Sequence, residues 1–366
     1  MNAKEAAEKL FNWALATGLM HSDHISPADV AALDTDDMFP ASAVEILRKR
    51  TIRHIAFNDQ RNEVIVFLQR SLPVSKKIQN ALPQEIGGVA IKFRQGVTQT
   101  IGHQMAIPHA APPWTLRQCA NGQGRYACGS SISVGNNREA GTLGSLVKDT
   151  TGTLYGLSNN HVSGSCNYAA RGLPILAPGV LDVCAGGLPP FTIGHHTKLL
   201  QLYPGSPDHV PAGGNLDAAI FEISNSDNVT SWQGNSYDTP SQVGALVGGI
   251  DVEKVGRTTG STRGRVVGEM LGYHGIMYNA PLYQFAGPVY FRQMFAILGY
   301  GDAFSDSGDS GSLITTVSEN GERKAVGIVV GGMDDSQAPG GKLSLALPIE
   351  PILTGLGVEL VSGLNV

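Results

Sequence analysis

Near its carboxyl end the chain reads Gly308-Asp309-Ser310-Gly311-Ser312, a serine between two glycines and directly after an aspartate. Glycine on both sides of a serine lets the backbone turn tightly and brings amide N–H groups close to a reacting carbonyl group. This setting suits a nucleophile, so Ser310 is the candidate. The motif is short, and it indicates chemistry only if the chain also supplies a base, an orienting acid and a suitable architecture.

Composition favours a globular protein of two or three domains. The chain has 366 residues, 42% of them hydrophobic and 16% charged, with 46 glycines and a formal net charge of −5. Many glycines among short apolar runs are typical of β-structure with numerous turns. The charge and the lack of a long basic run argue against a nucleic-acid partner. No apolar run approaches the roughly 18 residues of a membrane span, so no membrane partner is expected either.

Residues 1–95 are predicted to form a helical segment and then a small α+β domain. The apolar run from Leu10 to Met20 follows two lysines, but nearby glutamates and the lack of an Ala-x-Ala cleavage site favour an amphipathic helix over a secretory signal. The cytoplasm is therefore the expected compartment, with secretion as the alternative. Because this region carries no catalytic constellation, we expect a regulatory or interaction role and a partner bound there.

Residues 96–140, rich in proline and glycine, are expected to be an irregular linker that wraps around the next domain. From 141 to 360 short strands alternate with turn signals, with a hairpin at 150–152 and a closing helix. Serial strands without βαβ alternation favour an antiparallel barrel or sandwich. They also argue against an α/β-hydrolase, whose serine stands in Gly-x-Ser-x-Gly between a strand and a helix.

Metal and cofactor chemistry is not expected. The four cysteines, at positions 119, 128, 166 and 184, lack CxxC spacing, which argues against a zinc site. They are interpreted as reduced and buried, with one or two disulfides as the alternative for an exported protein. His195 and His196 are adjacent, so a strand would point them to opposite faces. No carboxylate or cysteine is spaced to join them.

His161 is the candidate base, because it ends an apolar strand that would hold its ring at a cleft. Asp217 leads directly into another apolar strand, where a buried carboxylate needs a partner such as a histidine N–H. Taken alone, a histidine such as His161 is more often a surface or core residue. Asp217 alone is equally well explained as the cap of a turn. The order His161, Asp217, Ser310, with gaps of 56 and 93 residues, gives them a common interpretation.

This order resembles the chymotrypsin-like (trypsin-like) serine peptidases, whose two β-barrels supply His and Asp from the first barrel and Ser from the second. The runs NNHV (159–162) and DAAI (217–220) resemble the high-temperature-requirement branch, and VGRTTG (255–260) resembles the streptogrisin and α-lytic type enzymes. GTLGSLV, LSNNHV, LPILAPG and NLDAAI together are similar to intracellular bacterial trypsin-like proteins, to which the plant narrow-leaf proteases are similar.

The resemblance covers about residues 97–360. It implies a mostly β fold, a double antiparallel β-barrel of chymotrypsin type preceded by the small α+β N-terminal domain. It also implies a serine endopeptidase that acts on a protein or peptide substrate through an acyl-enzyme. A catalytically silent peptide-binding scaffold and an esterase on the same fold are the alternatives.

The roles implied by the resemblance are specific. His161 would take the Ser310 hydroxyl proton and later protonate the leaving amine, while Asp217 would fix the imidazole. Backbone N–H groups of Gly308 and Ser310 would form the oxyanion hole. Asp309 would hold the loop through a salt bridge, and the α-lytic type enzymes suggest a basic partner near the GRTTG run. Two basic residues are candidates for that partner, first Lys254 and, as the fallback, Arg257.

The substrate-binding residues follow from the same resemblance. The strand at 327–332 would pair with substrate backbone, and Val330, Gly331 and Gly332 stand where Ser-Trp-Gly is usual. Phe304, six residues before the nucleophile, would lie at the base of the specificity pocket. We therefore expect an uncharged P1 residue, with Asp306 or the pair Asp334-Asp335 as acidic alternatives at the pocket mouth.

Overall fold

The computed structural model describes residues 1–20, 38–73, 75–102, 117–118, 124–183 and 190–366. Helices are few and short in this part of the chain. They are α1 (Ala3–Ala16), α2 (Ala41–Arg50), α3 (Lys76–Ala81), α4 (Asn160–Ser163) and α5 (Ile349–Leu356). Single turns of 3₁₀ helix cover Ser165–Asn167, Val180–Asp182, Ala212–Gly214, Ser226–Asn228, Pro281–Tyr283 and Pro339–Gly341. None of the described helices is long and apolar enough to cross a membrane.

The N-terminal region packs α1 on a small sheet. The helix begins with a capping box, in which Asn2 and Glu5 exchange side-chain and backbone hydrogen bonds. The face predicted from the sequence is buried, and it carries Ala6, Leu10, Trp13 and Ala14. The strands are β1 (Ile52–Asn58), β2 (Glu63–Leu68), β3 (Glu85–Ile86), β4 (Val89–Gln95), β5 (Val97–Thr98) and β6 (Ile101–Gly102).

The middle of the chain forms an open antiparallel sheet. Its strands and those of a small adjoining sheet are β7 (Arg117–Gln118), β8 (Gly124–Cys128), β9 (Ser131–Val134), β10 (Gly141–Thr142), β11 (Ser145–Asp149), β12 (Leu154–Ser158), β13 (Pro174–Ala177), β14 (Phe191–Leu199), β15 (Ala219–Ile223), β16 (Val229–Gln233) and β17 (Tyr237–Asp238). The open sheet runs β10-β9-β13-β14-β15-β12-β11. The hairpin predicted at 150–152 joins β11 to β12.

The last third of the chain forms a closed barrel. Its strands, with a hairpin and a final edge strand, are β18 (Asp251–Gly256), β19 (Gly260–Met270), β20 (His274–Ala280), β21 (Phe285–Phe291), β22 (Met294–Gly299), β23 (Leu313–Val317), β24 (Arg323–Asp334), β25 (Lys342–Pro348) and β26 (Val358–Leu360). The order β18-β23-β24-β25-β22-β19 closes because β18 also pairs with β19. β26 completes the edge of the open sheet beside β11.

The barrel core follows from alternating burial. Every second residue of β19 from Gly260 to Met270 is buried over most of its length, as expected for a strand with one face inward. Val252, Val266, Ile297 and Ile314 meet in one apolar cluster. Mostly antiparallel strands, one closed six-stranded barrel and one open half-barrel make this a chymotrypsin-like double β-barrel fold, as predicted.

Two local predictions need correction. Residues 124–134 were expected within an irregular linker, but they form β8 and β9, and β9 is an inner strand of the open sheet. The Tyr-Ala-Cys and Ser-Ile-Ser-Val runs form buried strands that are too short for a strand periodicity to be recognised in the sequence. The N-terminal sheet is also continuous with the barrel, because β1 pairs with β19 at Ala56 and Phe57. The linker residues 103–116 and 119–123 lie outside the described part.

Candidate active site

The structure brings His161 and Asp217 together at one end of the open sheet. Asp217 lies two residues before β15, which pairs with β12. His161 was expected at a strand end and instead lies in α4, the helical turn after β12. Asp217 is fully buried, and its Oδ2 lies 2.5 Å from His161 Nδ1. Because a carboxylate only accepts hydrogen bonds, Nδ1 is the donor in this contact, and in the neutral ring the lone pair is on Nε2.

Two further donors hold the Asp217 carboxylate. The backbone N–H of His161 donates to Oδ1 at 3.0 Å, and the hydroxyl of Tyr278, on β20, donates to Oδ2 at 2.8 Å. Burial, and then the neighbouring Asp217 charge, raise the pKa of Tyr278 well above its usual value. Its hydroxyl therefore remains a donor at ordinary pH. Tyr278 was not predicted from the sequence, since it stands outside every motif.

Ser310 faces the same pocket as His161. It lies in the loop between β22 and β23, and its Oγ donates to the Val330 carbonyl of β24 at 3.3 Å. Across the described residues no hydrogen bond joins Ser310 Oγ to the His161 ring. The hydroxyl would have to rotate toward Nε2 before it could transfer its proton, and such bonds are often long or absent without a substrate.

The glycines around Ser310 are required by the backbone. Gly308 and Gly311 have φ angles of 97° and 94°, in the left-handed region that other residues rarely adopt. A Cβ on Gly308 would also lie 2.5 Å from Thr258 Oγ1. The loop therefore follows a path that only glycine permits at these two positions.

The N–H groups of Gly308 and Ser310 have no acceptor within the described part of the chain. The Asp309 carbonyl, which precedes the Ser310 N–H in the same peptide unit, accepts from Ser312 Oγ at 2.6 Å and from the Ser312 N–H at 3.0 Å. The Gly308 carbonyl accepts from Thr142 Oγ1 at 2.8 Å. These carbonyl groups are hydrogen-bonded away from the pocket. The N–H groups of Gly308 and Ser310 therefore remain available to an incoming oxygen.

The Asp309 carboxylate is buried beneath this loop and is saturated with donors. Lys254 Nζ lies 3.1 Å from Oδ2, and both side chains are fully buried. The backbone N–H groups of Asp306, Thr258 and Thr259 and the Thr259 hydroxyl also donate to the carboxylate, at distances from 2.6 to 3.2 Å. Burial alone would raise the pKa of Asp309, but Lys254 and these hydrogen bonds hold it below its usual value.

Arg257, the fallback partner, pairs elsewhere. Its Nε donates to Asp182 Oδ2 at 2.7 Å, and its Nη2 also contacts this carboxylate. Both side chains are almost wholly buried, and the Ser131 hydroxyl donates to the same carboxylate. This buried pair links the open sheet to the closed barrel. Asp182 was not predicted, and no motif pointed to it.

The pocket differs from the expectation in two residues, Phe304 and Val330. Phe304 lies in the apolar core of the barrel, 1% exposed and packed near Gly264, and it is not among the residues that line the pocket. Counting six residues back from Ser310 located Phe304 in the sequence, but the count could not predict the direction of the Phe304 ring. The residues that line the pocket include Ser305, Asp306, Gly331, Gly332 and Lys342. Val330 is not among them, and its carbonyl accepts from Ser310 Oγ.

The three acidic alternatives are each paired. Asp306 Oδ1 lies 2.5 Å from Lys342 Nζ at the pocket wall. Asp334 accepts from the Gln99 side-chain amide at 2.6 Å, and the buried Asp335 forms a salt bridge with Arg94 at 2.6 Å. None of the three presents a free carboxylate to the pocket.

Neither His195 nor His196 lines the pocket that His161 and Ser310 share. His195 and His196 are on β14, His196 is buried and His195 is exposed. Among the described residues no group of three or more His, Cys, Asp or Glu could hold a metal ion. Cys128 and Cys166 are buried free thiols, and burial raises the pKa of Cys128 to about 12. Cys119 and Cys184 lie outside the described residues.

Two sequence comparisons relate the chain to narrow-leaf proteins. Residues 229–362 match the family model of the Nal1 C-terminal domain. The protein NARROW LEAF 1 of Oryza sativa subsp. japonica is 28% identical over 247 residues, which is 63% of this chain. The chain spans 40% of the length of that curated relative. These matches agree with the resemblance to narrow-leaf proteins expected from the motifs.

Solved structures similar to the chain include two bacterial proteases. Thermobifida fusca Protease A is 20% identical, with a TM-score of 0.42, over 65% of this chain and all of its own. Cellulomonas bogoriensis chymotrypsin is 18% identical, with a TM-score of 0.40, over 64% of this chain and 98% of its own.

Proposed function

We propose that this protein is a serine endopeptidase with His161, Asp217 and Ser310 as its catalytic triad. One observation carries the proposal: a buried carboxylate 2.5 Å from His161 Nδ1 fixes the ring with Nε2 toward the pocket that Ser310 also lines. A histidine in this tautomer is a general base for a neighbouring hydroxyl.

The reaction follows from these positions. Ser310 Oγ attacks the peptide carbonyl while His161 Nε2 takes the hydroxyl proton. The negative oxygen of the tetrahedral intermediate accepts from the N–H groups of Gly308 and Ser310. The C–N bond then breaks as His161 gives its proton to the leaving amine. A water molecule, deprotonated by the same ring, hydrolyses the acyl-enzyme and restores Ser310.

The pocket wall supports an uncharged P1 residue. Lys342 is paired with Asp306, so this carboxylate is not free to bind a basic side chain. Gly331 and Gly332 of β24 line the same wall, and their main-chain groups are those with which a substrate backbone would pair. A regulatory partner for residues 1–95 and a cytoplasmic location remain proposals that rest on the sequence.

The test is labelling by a peptidyl phosphonate, together with cleavage of a casein substrate. Wild-type protein should be labelled once per chain and should cleave casein, whereas Ser310→Ala should do neither. The control is Ser241→Ala, at an exposed serine outside the pocket, which should behave as wild type. Hydrolysis of short esters without casein cleavage would support the esterase instead. Folded protein that resists labelling would support the peptide-binding scaffold.

A further inference from the structure

The Ser307–Gly308 peptide unit, which carries the Gly308 N–H, is held through its carbonyl group. Thr258 Oγ1 donates to the Ser307 carbonyl oxygen at 2.6 Å. In a trans peptide the C=O and N–H groups point in opposite directions. Holding this carbonyl against Thr258 therefore directs the Gly308 N–H the other way, toward the pocket that Gly308 lines.

The direction of the Thr258 proton is fixed by a second contact. Arg257 Nη1 donates to Thr258 Oγ1 at 2.9 Å. A guanidinium has no acceptor atom, so the hydroxyl accepts there and its own proton goes to the Ser307 carbonyl. Arg257 is itself anchored by the buried Asp182. A connected chain of hydrogen bonds thus runs from the open sheet to the loop of the nucleophile.

We propose that Thr258 is a positioning residue for the oxyanion hole, an inference that rests on the proposed peptidase function. Without the Thr258 hydroxyl, the Ser307–Gly308 peptide plane could flip. The Ser307 carbonyl would then replace the Gly308 N–H where negative charge develops. Donors of this kind act mainly in the transition state, so the loss would appear in turnover and not in substrate binding.

The test compares Thr258→Val, which removes the hydroxyl at similar size, with Thr258→Ser, which keeps it. For one peptide substrate we expect Thr258→Val to lower kcat about tenfold to a hundredfold, short of the roughly 10²–10³ caused by removing an oxyanion donor outright. KM should be unchanged, and Thr258→Ser should stay within about threefold of wild type. Should Thr258→Val fail to fold, Thr258→Ala takes its place.

A second measurement separates positioning from folding. The affinity for a peptide aldehyde, whose adduct with Ser310 carries an oxyanion, should fall by the same factor as kcat. The affinity for the unreactive product peptide should not fall. A rise in KM with kcat kept, or no rescue by Thr258→Ser, would overturn the assignment. Wild-type protein without turnover would instead refute the proposed function.

A separate observation concerns residues 97–101, here called the edge segment. β5, within it, pairs antiparallel with β24, with Thr98 opposite Met333. The Gln99 N–H donates to the Gly332 carbonyl at 2.9 Å. The pairing lies on the stretch of β24 that leads away from Val330, whose carbonyl accepts from Ser310.

The edge segment covers the backbone that a substrate would use. A peptide whose carbonyl lies at Ser310 and whose backbone pairs with β24 would need Gly331 and Gly332. A Cβ on Gly332 would lie 2.9 Å from Gln99 Oε1, and one on Gly331 would lie 3.1 Å from Ile101 Cδ1. Both glycines are therefore already in contact with the protein's own chain.

Side chains anchor the edge segment along its length. The Gln99 amide donates to Asp334, and Thr98 Oγ1 lies 3.3 Å from His54 Nε2. Just before the segment Arg94 is paired with the buried Asp335. The segment thus connects the N-terminal sheet directly to the pocket of Ser310.

We infer that the edge segment competes for β24 with the substrate residues that precede the cleaved bond. Extended substrates therefore bind only when the edge segment is displaced. This inference also rests on the proposed function. Gln99→Pro removes the N–H that Gly332 accepts. It should lower KM about fivefold, near the effect of one hydrogen bond, for a peptide with four residues before the cleaved bond. For a single-residue ester KM should not change.

Hydrogen exchange on the wild-type protein gives an independent readout. A tetrapeptidyl phosphonate bound to Ser310 should speed exchange at residues 97–101, whereas a small sulfonyl fluoride on the same serine should not. Unchanged or slower exchange with the tetrapeptidyl reagent, or equal KM changes for long and short substrates, would overturn the inference. Failure of both reagents to label Ser310 would count against the peptidase function itself.

Discussion

The closed barrel and the open sheet hold their parts of the site by different means. In the barrel, Asp309 lies beneath the nucleophile loop and is paired with Lys254 of β18, so both partners belong to one closed structure. In the open sheet, the carboxylate of Asp217 takes a hydrogen bond from Tyr278, which belongs to a hairpin later in the chain. The first arrangement is local, and the second depends on how two regions pack.

The difference has a physical basis. A closed barrel satisfies the backbone of every strand and leaves no free edge. An open half-barrel needs other parts of the chain, and here β26 pairs with β11 near the end of the sequence. The two regions are further joined by the buried pair of Arg257 and Asp182. We therefore expect changes to the buried pair of Lys254 and Asp309 to act mainly on stability and changes around Asp217 to act mainly on turnover.

Asp217→Asn should have the largest effect on turnover. The amide would favour the wrong tautomer of His161 and could not stabilise its charged form, so kcat should fall about 10⁴-fold, as in other triads. Steady-state kinetics on one peptide substrate measure the loss. Asp208→Asn, at an exposed aspartate, is the matched control. A variant that kept a tenth of wild-type activity would contradict the role of Asp217.

Lys254→Met should have the largest effect on stability. It leaves the Asp309 carboxylate buried without its cation, which typically lowers the free energy of unfolding by about 3–5 kcal/mol. The control is Arg265→Met, which breaks a partly exposed pair with Asp251 and should cost no more than about 1 kcal/mol. Urea denaturation compares the two. Equal losses would mean that the barrel does not depend on the buried pair.

The stabilisation by Asp309 should disappear in acid. Its pKa is held below the usual value, so its contribution to stability is present above the unfolded value of about 3.9 and is lost as the pH falls through the folded pKa. The difference in unfolding free energy between wild type and Asp309→Asn should be constant from about pH 5 to 7 and shrink below about pH 4. A difference independent of pH would contradict this assignment.

Tyr278→Phe should have the smallest effect. Asp217 keeps the His161 ring and backbone as donors, so kcat should fall only about threefold to tenfold, near the value of one hydrogen bond. The control is Tyr300→Phe, whose hydroxyl donates to the exposed Asp251 and which should leave kcat unchanged. An unaltered kcat in Tyr278→Phe would show that the hairpin does not support the acid.

Sequence order and local chemistry selected His161, Asp217 and Ser310 as the candidate site residues. Short strands separated by turns predicted an antiparallel barrel or sandwich, and the resemblance to chymotrypsin-like peptidases implied the double β-barrel and the grouping of His161, Asp217 and Ser310. The structure places His161 against Asp217, and His161 and Ser310 line one pocket. Three features escaped prediction for different reasons. β8 and β9 are too short for their period to be recognised, the ring direction of Phe304 does not follow from its position, and Tyr278 belongs to no motif.

The pentapeptide at 308–312 by itself determined a tight turn with glycine where φ is positive, because only glycine adopts that backbone without strain. The choice between Lys254 and Arg257 as the partner of Asp309 was decided only in three dimensions. Both residues lie within one short run of sequence. Asp182 is distant from Arg257 along the chain but close to it in space, and it forms the ion pair with Arg257. Tertiary structure also placed residues 97–101 on β24, because strand pairing between distant segments is set by packing and leaves no local pattern.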